Sequence, residues 1–318
     1  MKRVVVTDAT FPSVIKEELA ARAAGAVLER HACKTADQVA AAIKGADVAV
    51  VQFAPLTRAA IAGMAPGGTA IRYGVGYNNF DVAALNDLGI KAAYVPDYCT
   101  AEVADHTAAS ILALLRKLPA LDASVRKGNW AAVGVSRPLK SFAEPTVGFL
   151  GFGRIAQEVA SRLSPFGFQF LAHDPYFTGS FPRLTLIDLP TLLSQADALT
   201  LHAPATPETT GIINAVTLRQ MKPSAVLVNT ARGDLVDEAA LANALTHGVI
   251  GGAALDVFHT EPLPADNPLR AAPNLLLGPH AAWYSDVAVE RLQSLVADEI
   301  TRALTGQGVR KAVPGSTA

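Results

Sequence analysis

Three short segments in the second half of the chain carry side chains that could act together on one carbonyl group: Ala231-Arg232-Gly233, His259-Thr260-Glu261-Pro262 and Pro279-His280-Ala281-Ala282-Trp283. A guanidinium presents a planar fork of donors that matches a carboxylate, and an imidazole can give up a proton near neutral pH. A carboxylate beside that imidazole fixes its tautomer and favours the charged form. Arg232, Glu261 and His280 are therefore the parts needed to bind a 2-oxo acid and protonate its carbonyl while hydride arrives at carbon. Taken singly, Arg232 also fits a surface cation, Glu261 a loop carboxylate and His280 a core histidine.

Upstream lies Gly151-Phe152-Gly153-Arg154-Ile155-Ala156, between an apolar run Thr146 to Leu150 and a helical pattern from Arg154 to about Leu163. The first glycine suits a tight strand-to-helix turn, the second leaves room for a pyrophosphate against backbone, and Ala156 permits close helix packing. The helix start then offers free N–H groups and a positive dipole end to phosphates. Asp174, in Ala172-His173-Asp174-Pro175-Tyr176, falls 21 residues after Gly153. A carboxylate there accepts from ribose hydroxyls and repels a 2′-phosphate, which points to NAD over NADP; a turn-capping aspartate before proline is the competing reading.

The first part of the chain alternates short β-rich runs with helical stretches. The runs are Val4 to Thr7, Ala26 to Leu28, Val48 to Phe53, Ala70 to Val75 and Ala92 to Val95. Runs that are apolar throughout argue for a parallel sheet covered on both faces. A helical stretch from Ala101 to Lys117 and a polar, Gly-containing region from Asp122 to Ser141 precede the glycine fingerprint. After it come Gln169 to Ala172, Ala198 to Leu201, Ala225 to Val228, Ala253 to Val257 and Leu275 to Leu277, which with Thr146 to Leu150 make six strands. The expected fold is α/β: a doubly wound (Rossmann) nucleotide domain and a second, flavodoxin-like α/β domain.

With 318 residues, half of them hydrophobic and 17% charged, the chain can bury two cores. A net charge of −1 gives no basic footprint for nucleic acid. The start, Met1-Lys2-Arg3-Val4-Val5-Val6, loses its apolar run at Thr7-Asp8 and reads as a strand rather than a signal peptide. Without a run of eighteen apolar residues, no membrane span is expected. Two cysteines, Cys33 and Cys99, form neither a disulfide framework nor a metal signature, which fits a cytoplasmic protein.

In their order and placement, these segments resemble the D-isomer-specific 2-hydroxyacid dehydrogenase family from about Ile71 to about Thr301. The resemblance implies an NAD-dependent oxidoreductase in which His280 is the acid, Glu261 its partner and Arg232 the substrate-binding cation. It implies further cofactor contacts at Ala203, Pro204, Thr209, Thr230, Ala231, Asp256 and Ala282, with Asp256 accepting from the nicotinamide carboxamide. It also implies a homodimer formed through the Asp122 to Ser141 arm, the D stereochemical series, and a last helix from Asp286 that returns to the first domain. The domains expected are thus 1–98 plus 286–318 for substrate and 99–285 for NAD.

Arg72-Tyr73-Gly74-Val75-Gly76-Tyr77-Asn78-Asn79 adds a turn whose N–H groups at Val75 and Gly76 could cradle a carboxylate; an ordinary glycine turn is the alternative. Asn78 stands where family members usually carry aspartate. Trp283 supplies apolar surface three residues beyond His280, suiting an uncharged, medium-sized side chain, or else packs as core. Glu261 and Val75 argue against formate and phosphite dehydrogenases, and Ala281-Ala282-Trp283-Tyr284-Ser285 against phosphoglycerate dehydrogenases, which place small residues there. The same segment is most similar to the branch of the C-terminal-binding-protein corepressors. Glyoxylate or hydroxypyruvate reduction, or an NAD(H)-responsive interaction protein, are the alternatives.

Overall fold

A computed structural model describes residues 1–317, and the chain divides into two units, one of Met1–Cys99 with the segment from Ser285 onward, the other of Thr100–Tyr284. In the first, β1 (Lys2–Val6), β2 (Ala26–Arg30), β3 (Val48–Val51), β4 (Thr69–Arg72) and β5 (Lys91–Tyr94) form a parallel sheet in the order β2-β1-β3-β4-β5. That is the flavodoxin-like order. Val48–Val51 is buried along its whole length, as a central strand covered on both faces must be.

The segment after Tyr284 belongs to this unit through the helix Asp286–Thr305, which packs against the helix Ile15–Ala23. Ser285 caps it by accepting from the Ala288 N–H at 2.9 Å, and Gly306, at φ 74°, ends it in the left-handed conformation. Ala288, Leu292, Val296, Ile300 and Leu304 recur on one buried face. Burying each of the larger aliphatics contributes about 1.5–3 kcal/mol.

The other unit is built on a seven-stranded parallel sheet. Its strands are β6 (Thr146–Leu150), β7 (Gln169–His173), β8 (Leu184–Leu186), β9 (Ala198–Leu201), β10 (Val226–Asn229), β11 (Gly252–Leu255) and β12 (Leu275–Leu277). The order β12-β11-β10-β9-β6-β7-β8 reverses direction between β6 and β9, the switch point where doubly wound sheets bind nucleotides.

Two expectations need correction. β8 is a seventh strand that the sequence reading missed, because it is three residues long, lies at the sheet edge and leaves Thr185 and Leu186 exposed. The region 122–141 is not simply a polar connection: it contains the end of the helix Leu118–Arg126 and all of the helix Ala132–Ser136. Among the described residues no helix is long and apolar enough to cross a membrane.

Candidate active site

The glycine turn at the end of β6 lies beside the end of β9. Gly151 has φ 85°, and a Cβ there would lie 2.9 Å from the backbone of His202 and Ala203, so both conformation and space require glycine. Gly153 differs, since a Cβ built on it meets nothing within 4 Å. That open side lies at the start of the helix Arg154–Leu163, whose first N–H groups are free of helical partners. The helix turns Ala156, Val159, Ala160 and Leu163 inward and pairs Glu158 with Arg162 at 2.6 Å outside. Ile155 is half-buried and Arg154 exposed.

Phe152 is fully buried, with ring centroids 5.2 Å from Phe149 and 5.1 Å from Phe177, so its backbone alone borders the turn. Its N–H donates to Asp174 Oδ2 at 2.7 Å, while Asp174 Oδ1 accepts from Tyr176 N at 2.8 Å. Asp174 thus caps its own turn and ties β7 to the glycine loop. Thr209 Oγ1 donates to the Pro204 carbonyl at 2.6 Å and accepts from Thr206 N at 2.8 Å, closing the loop that begins at Ala203. His202 bonds to Thr200 Oγ1 at 3.0 Å, and burial pushes its pKa down to about 3, so it is a neutral framework residue.

Arg232, Glu261 and His280 stand on three successive strand ends of this one unit. After β10, buried Asn229 clamps the turn: its Oδ1 accepts from Ala231 N at 3.0 Å and its Nδ2 donates to the Arg232 carbonyl at 2.7 Å. Thr230 Oγ1 meets Thr107 Oγ1 at 2.8 Å. Gly233 follows because a Cβ there would lie 2.0 Å from the Phe258 carbonyl carbon.

His280 Nδ1 and Glu261 Oε2 are 2.6 Å apart, with 36% and 32% of their side chains exposed. Glu261 Oε1 accepts from Phe258 N at 2.9 Å. Burial pushes the Glu261 carboxyl up, but the bond to His280, its charge, the Phe258 N–H and the Arg232 charge together hold it below the usual carboxylate range. His280 has φ 55°, a left-handed conformation uncommon for a non-glycine residue. Asp256, almost fully buried, holds that turn by accepting from Ala281 N at 3.0 Å and Ala282 N at 2.7 Å. Gly278 makes room for it, since a Cβ there would lie 2.2 Å from Asp256 Oδ1.

A cleft of about 210 Å³, lined by His106, Ser110, Thr230 and Asp256 among others, opens beside these strand ends. Ala282 is buried, and half-buried Trp283 stacks edge-on with Tyr284 at 5.7 Å. Sequence reasoning missed Asn229, Thr107 and Gly278. Asn229 was detectable: a polar residue closing a buried strand must find hydrogen-bond partners.

The other unit carries the Arg72 segment. Arg72 is buried, donates through Nη1 to the Tyr73 carbonyl and lies 5.8 Å from the Phe53 ring centroid. Gly74, at φ 146°, leaves room for that guanidinium. Among the described residues none accepts from the N–H of Val75 or Gly76.

Residues 108–282 match the model of the D-isomer specific 2-hydroxyacid dehydrogenase NAD binding domain. The chain is 38% identical over 281 residues to D-3-phosphoglycerate dehydrogenase of Mycobacterium tuberculosis (strain ATCC 25618 / H37Rv), covering 87% of this chain and 53% of that protein. It therefore spans about half the length of the curated relatives it matches. Among solved structures, NAD-dependent formate dehydrogenase from Staphylococcus aureus in complex with NAD superposes with a TM-score of 0.88 at 28% identity, covering 100% of both chains. D-lactate dehydrogenase from Aquifex aeolicus, complexed with NAD and lactic acid, superposes with a TM-score of 0.84 at 27% identity, covering 95% of this chain and 96% of that one.

Proposed function

Because this chain belongs to the D-isomer specific 2-hydroxyacid dehydrogenase family, whose matched domain binds NAD, we propose that it is an NAD-dependent D-2-hydroxyacid dehydrogenase reducing a 2-oxo acid. The observation that carries the reading is the 2.6 Å pair of His280 and Glu261 on the same unit as Arg232 and the glycine turn. NADH held by these residues would supply hydride to the carbonyl carbon. His280, held through Nδ1 by Glu261, presents Nε2 as the proton donor to the carbonyl oxygen and is left neutral with its Nδ1–H still bonded. Arg232 binds the carboxylate and polarises the keto oxygen.

Asp174, with Gly151, Gly153 and the first turn of the helix Arg154–Leu163, fits the dinucleotide, and its carboxylate favours NAD over NADP. The N–H groups of Val75 and Gly76, beside Arg72, are assigned to a carboxylate, and Trp283 to an uncharged side chain. Two copies are proposed to pair through the Asp122 to Ser141 arm, where Val125, Trp130 and Val133 are exposed, Trp130 by 94%.

The test is a panel of 2-oxo acids (glyoxylate, hydroxypyruvate, pyruvate and longer apolar ones) with NADH and with NADPH, and D-3-phosphoglycerate with NAD. We expect turnover of an apolar 2-oxo acid, a preference for NADH, and a loss of about 10²–10⁴-fold in His280→Ala with NADH affinity retained. Faster use of D-3-phosphoglycerate would overturn the substrate class. No turnover of any acid by a protein that binds NADH would overturn the enzyme reading in favour of an NAD(H)-responsive interaction protein.

A further inference from the structure

The ladder between β10 and β11 ends at Asn229 opposite Leu255, short of both Arg232 and Glu261. The loops that carry these two residues are joined beyond that point by a second imidazole–carboxylate pair. His259 Nδ1 and Asp234 Oδ1 are 2.6 Å apart, directly after Arg232-Gly233 on one side and two residues before Glu261 on the other. The His259 N–H donates to Glu238 Oε1 at 2.7 Å, and Glu238 Oε2 accepts from Asn267 Nδ2 at 2.6 Å. At the same place Gly233 lies so close to the Phe258–His259 peptide that a Cβ would come within 2.0–2.4 Å of three of its atoms. The next amide along, Phe258 N–H, holds Glu261.

From this chain of contacts we infer that Asp234 and His259 are positioning residues, fixing the Arg232 loop against the Glu261 loop so that cation and proton donor address the same carbonyl. The inference rests on the dehydrogenase reading of Arg232, Glu261 and His280. Asp234 selects the Nδ1–H tautomer of His259, so the link persists whether that imidazole carries one proton or two. Glu238 holds the backbone of the same residue, and the loop is thereby fixed from two sides. His259 is 72% exposed in its side chain, so the pair is screened by water and its effect is of the size of a surface ion pair rather than of a reacting group.

The experiment compares Asp234→Ala, Asp234→Asn and His259→Ala with the unaltered protein, in turnover of the best acid of the panel, NADH affinity by fluorescence, and the ¹⁵N resonances of the His280 imidazole. Asp234→Ala is expected to lower kcat/KM about fivefold, to leave NADH affinity within about twofold, and to shift the His280 resonances, because the loop that holds Glu261 relaxes. Asp234→Asn keeps an acceptor for Nδ1–H and is expected to restore most of the loss, whereas His259→Ala matches Asp234→Ala and adds nothing to it in the double variant. Unchanged kinetics and resonances in Asp234→Ala, or a loss that Asn does not rescue, would overturn the inference. Shifted resonances in a protein that turns over no acid would leave the link standing and remove the dehydrogenase reading instead.

Discussion

Each unit holds a carboxylic acid whose strongest perturbation is burial, and the two are shifted in opposite directions. Glu17, on the helix Ile15–Ala23, is fully buried and bonded through Oε1 to the hydroxyl of Tyr73, itself packed edge-on to Phe11 at 5.0 Å. Burial pushes Glu17 up, and the Tyr73 hydroxyl and the more distant charges of Lys16 and Arg30 offset only part of it. Glu261 is also pushed up by burial, yet an imidazole in contact and a guanidinium nearby bring it below the usual range. The partner, not the burial, decides the direction of the shift: the neutral phenol beside Glu17 leaves its carboxyl raised, while His280 and Arg232 bring that of Glu261 down. One arrangement fixes structure, and the other stores a charge that can steady a proton donor.

The largest effect expected from breaking this contrast is at Glu261. Glu261→Gln keeps the shape and an acceptor but removes the charge, so reduction should slow about 10²-fold with NADH affinity unchanged. Without the anion the His280 ring loses the partner that fixes it through Nδ1, so kcat should fall far more than the KM for the acid changes. A variant with unchanged kcat would show that Glu261 does not hold His280 for proton transfer.

The Glu261 side of the comparison was legible in sequence, and the Glu17 side was not. Arg232, Glu261, His280, Gly151, Gly153 and Asp174 lie in loops that follow strands, where a parallel sheet gathers distant parts of the chain, so strand periodicity and residue type marked them as candidates and the family resemblance supplied their roles. β6, β9 and β12 were placed to the residue because their apolar runs are followed by a glycine, by His202-Ala203-Pro204 and by Gly-Pro. β8 had no such contrast. Glu17 lies in a helix with charged neighbours, Lys16 and Glu18, and reads as a solvated face. Its burial depends on the helix Asp286–Thr305, contributed from the far end of the sequence, and no local pattern reports that. The same holds for Asp234 and His259, ordinary loop residues until two loops meet.

A middle-sized effect is expected from Tyr73→Phe. The ring still fills its place against Phe11, but the Glu17 carboxyl loses its hydroxyl partner in a dry site, at a cost of about 1–3 kcal/mol in denaturant unfolding. Glu17→Leu in the same background should recover part of that loss by removing the stranded group. Equal stability of Tyr73→Phe and the unaltered protein would mean that water replaces the hydroxyl and that the site is not dry.

The smallest effect concerns how stability varies with pH, where the two acids should act in opposite windows. Glu17 has a raised pKa in the folded state, so its contribution is complete below the ordinary value of 4.5 and declines as pH rises from there through the folded value. Glu261 has a lowered one, so its contribution is complete above 4.5 and declines as pH falls through the folded value. Removing each titration in turn separates them. Glu17→Gln should reduce the slope of the unfolding free energy on the neutral side of 4.5, to which Glu299 also contributes, and leave the acid side as it was, while Glu261→Gln should reduce the acid-side slope alone. Glu261 keeps about a third of its side chain in water, so its slope is damped and should be the shallower of the two. Denaturant titrations of the three proteins at a series of pH values read both slopes directly. A reduced neutral-side slope in Glu261→Gln, or a reduced acid-side slope in Glu17→Gln, would mean that the partners do not set the directions of the two shifts.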